Sequence, residues 1–246
     1  MDAAHFRAYL QEVARLQEEA SEQAETTIAE AATLIVEAIA GGRVLYVFGP
    51  SHAGLLAQDL FFRAGGLVPI EPILPAGLML NERPVTRTTA LERLPGYAEV
   101  ILRDGPLGAG DVLLVISVSG RNAVAVEMCT GAQARGARVV ALTSLAYSRS
   151  VAARGASRLF EVADVVIDLP GRAGDAAIAL DGLEQRVGPT STAVGSAILH
   201  GLMVEVAGQL LQRGVTPPVF RSANLDGADD TNARLLAQYR ERLSYI

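Results

Sequence analysis

The sequence predicts an α/β fold built on a parallel sheet, and two observations carry that prediction. Apolar runs at 43–48 and 111–116 each stop on a small polar turn, Gly49-Pro50-Ser51-His52 and Ser117-Val118-Ser119-Gly120-Arg121-Asn122, and a helix-period stretch follows each turn. After the second of these helices another apolar run, 139–143, begins directly beyond Gly136. A strand, loop, helix and strand in that order pair in parallel with right-handed crossovers. The length of 246 residues suits one such domain with appendages better than two separate cores.

From the N-terminus, residues 2–40 place Phe6, Leu10, Val13, Leu16, Ile28, Leu34, Ile35 and Ile39 mostly three or four apart with Glu and Gln between, which predicts an amphipathic helix or helix pair. Gly41-Gly42 ends it before the strand at 43–48. A helix over 53–64 then stops at Gly65-Gly66. Residues 67–98 form an irregular excursion with a short strand at 68–73 and a helical patch near Leu91. The central unit is strand 111–116, helix 123–135 and strand 139–143. A serine-rich turn at 144–150, a short helix and a strand at 163–169 follow. Residues 170–188 read as a loop or edge hairpin, and Pro189-Thr190-Ser191-Thr192 opens an apolar helix to residue 211. The tail, 217–246, ends in a closing helix. The expected organisation is an N-terminal helical extension at 1–40 packing on the core, a main domain at 41–216 and a C-terminal tail and helix at 217–246.

Composition narrows the function. Net charge is −6, lysine is absent, and no basic stripe suited to a phosphate backbone is visible, so nucleic acid is not an expected partner. Without lysine there is no Schiff-base chemistry on a side-chain amine. No continuous apolar run approaches the roughly 20 residues of a membrane span, and the N-terminus lacks the basic start and apolar core of a signal peptide. The expectation is a cytoplasmic protein with no membrane partner. The single cysteine, Cys129, reads as a core hydrophobe. His5, His52 and His200 are scattered, so no metal is expected, and no other cofactor either.

The strand ends carry the chemistry. In an open parallel sheet ligands collect beyond the carboxyl ends of the strands, and three of these ends bear hydroxyls: Ser51, then Ser117 and Ser119, then Thr143, Ser144 and Ser148. A glycine turn opening a helix favours an anion, and hydroxyls can hold phosphate where lysine is lacking. Each such turn alone is better read as a helix cap, and it is three at one sheet edge that favour a ligand. A dinucleotide fingerprint is a poor match, because Gly49-Pro50-Ser51-His52-Ala53-Gly54 lacks the middle glycine, and a P-loop needs a lysine.

The turn Ser117-Val-Ser-Gly-Arg-Asn, followed by a helix ending in "ARGARVVALTS", resembles the sugar isomerase (SIS) domain family. "GPTSTAVGSAILHGLMVEVA", residues 188–207, is similar to the segment opening the late helix of arabinose-5-phosphate isomerases. "LFFRAGGLVPIEPIL", "LERLPGYAEV", "GRNAVAVEM", "TSLAYSRSV" and "SANLDGADDTNARLL" resemble an uncharacterised full-length subgroup of that family. The resemblance implies a three-layer α-β-α sandwich around a five-stranded parallel sheet, flavodoxin-like, with 41–216 as the SIS domain. It implies a sugar phosphate held by Ser117, Ser119 and Asn122 with the loop amides at Gly120 and Arg121; the strand-end hydroxyls add Ser51, Thr143 and Ser144, and the apolar faces of the N-terminal helices and the long late helix suggest a homodimer or homotetramer. The first turn departs from the family pattern G-x-G-x-S, with Ser51 at the middle glycine and Ala53 at the serine.

Aldose–ketose isomerisation needs a base beside two adjacent carbons and a donor to oxygen. Candidates are His52 at the first turn, Asp59 further along its helix, Glu184 before the late helix and His200 within it. Glu82 and Glu92 lie in the excursion that could fold over the pocket. The Asp226, Asp229 and Asp230 group could reach sugar hydroxyls or be a solvated loop. The expected function is a phosphosugar isomerase acting on a sugar or amino sugar. The alternatives are a non-catalytic phosphosugar sensor and a phosphosugar lyase or etherase.

Overall fold

A computed structural model describes residues 3–245, so Met1, Asp2 and Ile246 lie outside it. The expected N-terminal helical segment is a pair, α1 (Ala4–Gln23) and α2 (Glu25–Ala40), turned at Ala24. The sheet strands are β1 (Leu45–Phe48), β2 (Ile70–Ile73), β3 (Val112–Ile116), β4 (Arg138–Thr143) and β5 (Val165–Asp168). All pair in parallel in the order β2-β1-β3-β4-β5, so the strand order reverses between β1 and β3. That reversal leaves a crevice at the carboxyl ends of β1 and β3, where the crossovers leave in opposite directions.

Helices cover both faces. On one, alternate residues Leu45, Val47, Leu114, Ile116, Val140 and Leu142 pack with α2, with α3 (His52–Leu60) and with α9 (Ser191–Gln212). On the other, Tyr46, Phe48, Leu113, Val115 and Val139 pack with α5 (Tyr97–Arg103) and α6 (Ala123–Ala134). The strands of the sheet centre are buried on both faces, which is why they read as unbroken apolar runs. Truncating a central residue such as Leu114 to Ala is expected to cost about 2–5 kcal/mol.

The remaining elements are short: α4 (Arg87–Glu92), α7 (Leu145–Ser150), α8 (Leu159–Val162), the antiparallel hairpin β6 (Ala176–Ile178) with β7 (Val187–Pro189), and α10 (Ala228–Tyr239). The tail folds back along the molecule. Val219 bridges to Leu67, Phe220 and Leu243 enter the second core cluster, and Ser244 donates its backbone amide to Glu71.

Several local expectations are corrected. The serine-rich stretch 144–150 is a helix, because Ser144 caps it by accepting from the Tyr147 amide and Asp168 accepts from the Leu145 amide at 2.8 Å. The first-turn helix stops at Leu60, four residues early; Phe61 is extended, and Phe61 and Phe62 pack against Tyr245 and Phe220 of the tail. Helix α5 has no counterpart in the sequence expectation, its seven residues being too few to show a period. By length and composition α9 is long and apolar enough to cross a membrane, with mean hydropathy 1.4 over its most apolar 18-residue window, but 44% of that window is buried inside the fold, as in the core helix of a globular domain. It packs on the sheet layer through Val194, Leu199, Leu202, Val206 and Leu210.

Candidate functional site

The turns after β1 and β3 meet at the crevice and line a pocket of about 280 Å³ with Pro50, Ser51, His52, Ser117, Ser119 and Asn122. Glu92 from the end of α4, Tyr147 from α7 and Gly174-Asp175 from the loop before β6 close it. Among the described residues, none hydrogen-bonds the Ser51, Ser117 or Ser119 hydroxyl, so all three are free to take an external acceptor. The twelve-residue α6 begins immediately after the second turn, and the first-turn amides of such a helix favour an anion.

This geometry makes demands on the backbone at two points. Gly120 has φ +58, and a Cβ there would lie 2.9 Å from Thr143 Oγ1, so the turn can close on β4 only with glycine. Ser51 has φ 55 and ψ −126, a conformation suited to glycine, at the position where the SIS pattern carries glycine. A side chain held there stores on the order of 1–3 kcal/mol of strain. The departure seen in the sequence therefore puts a serine side chain on a glycine-type backbone conformation.

Thr143 and Ser144 do not reach the pocket. Thr143 is fully buried and donates to the Val118 carbonyl at 3.3 Å, while the Ser144 amide donates to the same carbonyl at 3.0 Å. They brace the Ser117–Asn122 turn from behind. Arg121 turns away, into a neighbouring pocket. Asn122 faces the pocket with its side chain already engaged: Nδ2 donates to Glu92 Oε2 at 2.7 Å and Oδ1 accepts from Arg154 Nη1.

With Asp175, Glu92 is one of two carboxylates that the fold brings to the pocket. Burial pushes its pKa above the ordinary carboxylate value, and the Asn122 hydrogen bond and the charges of Arg93, Arg154 and His52 only partly oppose this. Its placement depends on α4 folding back over the turn, and the excursion shows no period from which that could be read. Tyr147 and Asp175 are absent from the sequence expectation altogether. Asp175, with φ 69, accepts from the Thr190 and Ser191 amides at 3.0 and 2.8 Å and from the Ser191 hydroxyl at 2.7 Å. It caps α9 from 16 residues away in sequence, a relation that no local pattern signals.

Two other candidates lie elsewhere and meet each other. Asp59 is seven residues beyond His52 on α3, about 10 Å along the axis. Its Oδ2 accepts from Ser196 Oγ at 2.7 Å and lies 2.9 Å from His200 Nε2, while Arg63 pairs with Oδ1. Burial raises the Asp59 pKa, but the hydrogen bonds from Ser196 and His200 and the Arg63 charge outweigh it and the net shift is downward. Glu184 is exposed in the β6–β7 hairpin, Glu82 pairs with Arg87 at 3.6 Å, and Asp229 and Asp230 are exposed in the first turn of α10. None of these lines the pocket. Among the described residues no three His, Cys, Asp or Glu side chains cluster as a metal site.

The sequence matches the SIS domain family over residues 8–144, more than half of the chain. The chain is a member of the SIS domain family. A UPF0309 protein of Shouchella clausii is 44% identical to this SIS-domain chain over 244 residues, covering 98% of it and 99% of the relative. The fold is shared with solved structures of low identity. A phosphoheptose isomerase from Neisseria gonorrhoeae aligns with TM-score 0.56 and 17% identity over 83% of this chain and 98% of its own. A phosphoheptose isomerase from Francisella tularensis aligns with TM-score 0.55 and 18% identity over 84% and 98%. The three-layer sandwich with five parallel strands expected from the resemblance is thus the observed fold.

Proposed function

We propose that this SIS-domain protein binds a phosphorylated sugar and isomerises it between aldose and ketose. The observation that carries the reading is the Glu92 carboxylate, half-buried over a turn whose Ser117 and Ser119 hydroxyls have no partner among the described residues. The phosphate is held by Ser117 and Ser119 at the start of α6, with Ser51 from the facing turn. The sugar extends toward Glu92 and His52. Glu92 takes the proton from the carbon next to the carbonyl, giving an enediol, and returns it to the neighbouring carbon. His52 moves the proton between the two oxygens. A carboxylate with a raised pKa holds the abstracted proton more readily at neutral pH, which suits this shuttling role.

Support for the ligand class comes from fold relatives that include two phosphoheptose isomerases. The same reading makes the protein a cytoplasmic homodimer or homotetramer, for which the exposed Val204 and Leu211 on α9 supply apolar surface. Light scattering tests that, a monomer mass overturning it. The activity is tested by incubation with a panel of sugar phosphates in deuterated water, followed by NMR. Label beside the carbonyl is the expected result. Thermal stabilisation by a ligand without any exchange would assign the pocket to sensing instead.

A further inference from the structure

Beside the crevice, on the outer side of the Ser117–Asn122 turn, a second pocket of about 280 Å³ with mainly apolar walls carries Arg121, Arg154, Glu127, Thr130 and Ser157 on its lining. Arg121 Nε is buried and has no hydrogen-bond partner among the described residues. The Arg154 guanidinium has its pKa lowered first by its own desolvation and then by the nearby charges of Arg93 and Arg121. Among the described residues, none of the three arginines is ion-paired to a carboxylate. Glu127 directs its Oε2 to the Gly96 amide at 2.8 Å, and Glu92 faces the other pocket on Asn122. A chain of net charge −6 thus gathers three cations around two carboxylates at one spot.

From this we infer a second binding site, in which Arg121 and Arg154 hold a small oxyanion of the phosphate class. Guanidinium groups suit it because each presents several fixed N–H donors to a tetrahedral or planar oxyanion, and neither needs to leave a carboxylate first. Thr130 and Ser157 add hydroxyls to the same walls. The inference does not depend on the reading of the serine turn, since the two pockets have no lining residue in common. They are nonetheless neighbours. Arg154 Nη1 also donates to Asn122 Oδ1, and Asn122 Nδ2 donates to Glu92, so an oxyanion drawing on Arg154 sits one hydrogen-bonded residue away from the carboxylate.

Equilibrium dialysis of the full chain against radiolabelled inorganic phosphate at low ionic strength tests this. The wild type is expected to take up two phosphates per chain, Arg121→Gln/Arg154→Gln one, and Ser117→Ala/Ser119→Ala one. An arginine variant with the wild-type isotherm, or a wild type whose only phosphate disappears with the serines, would overturn the arginine site. Retention of two phosphates by the serine variant overturns the reading of the serine turn and leaves this one standing. Arg154→Gln alone, at an exposed side chain, guards against a folding defect and is expected to weaken the second phosphate at least about tenfold, with circular dichroism unchanged. An unaltered second affinity in that variant counts against the site.

Discussion

Glu92 and Asp59 are carboxylates of one protein placed in opposite surroundings. Glu92 ends a short helix that closes over a crevice, has one amide donor, and is left with a pKa raised by burial. Asp59 sits on the side of α3 with Ser196, His200 and Arg63 all directed at it, and its pKa is lowered. Their surroundings assign them separate work. A carboxylate satisfied by donors on both oxygens holds a helix pair together, and one held by a single amide in a desolvated pocket retains capacity for a proton.

Replacing Glu92 with Gln should separate the two most clearly. Label exchange in deuterated water is expected to fall by on the order of 10²–10⁴, while sugar-phosphate binding persists. The same variant should be more stable than the wild type at neutral pH. A carboxylate with a raised folded pKa is at its most favourable below the unfolded value, and stability is lost as pH rises through the folded value. The gain in melting temperature should therefore vanish in acid. A variant that is less stable at neutral pH would show that Glu92 is a structural anchor like Asp59.

Next in size is the phosphate grip. Ser117→Ala with Ser119→Ala should remove about 1–3 kcal/mol of sugar-phosphate binding, read as a lost thermal shift, with little change in the unliganded melting temperature. Relieving the backbone conformation at Ser51 with Ser51→Gly should raise stability by about 1 kcal/mol, the strain released being partly offset by the freer unfolded chain. Smallest is Asp59→Asn, expected to cost about 0.5–1 kcal/mol in chemical denaturation, since the pair with Arg63 and His200 is partly exposed. Its folded pKa is depressed, so this contribution is present above the ordinary carboxylate range and is lost as pH falls through the folded value. A collapse of exchange in Asp59→Asn equal to that in Glu92→Gln would erase the distinction between the two.

Much of the fold is legible in the sequence because its elements carry strong local signals. The central strands are apolar runs closed by glycine or serine turns, and the hydroxyls of the two crevice turns point to a shared role. Helix α7 is hidden by its own serines, which favour turns as readily as caps. The site is less legible where it depends on distance. Asp59 and His200 are plausible pocket residues by sequence because a sequence does not say which way a helical side chain points across a neighbour. Glu92 is one of several acids in a stretch without period, and only the closure of α4 over the serine turn sets it apart. Arg121, grouped by its position with the phosphate ligands, faces the opposite side of the same turn.

The packing of α2 against α9 has a bearing on how the chain is made. Thr33 donates to Gln209 across 176 residues, and Ala31, Ala32, Ile35 and Val36 lie in the same cluster as Leu199, Leu202 and Val206. At a synthesis rate of about 5–20 residues per second, the apolar face of α2 waits roughly 10–35 s for its partner. During that interval the nascent chain presents sticky surface, a stage at which a holding chaperone would have most to bind.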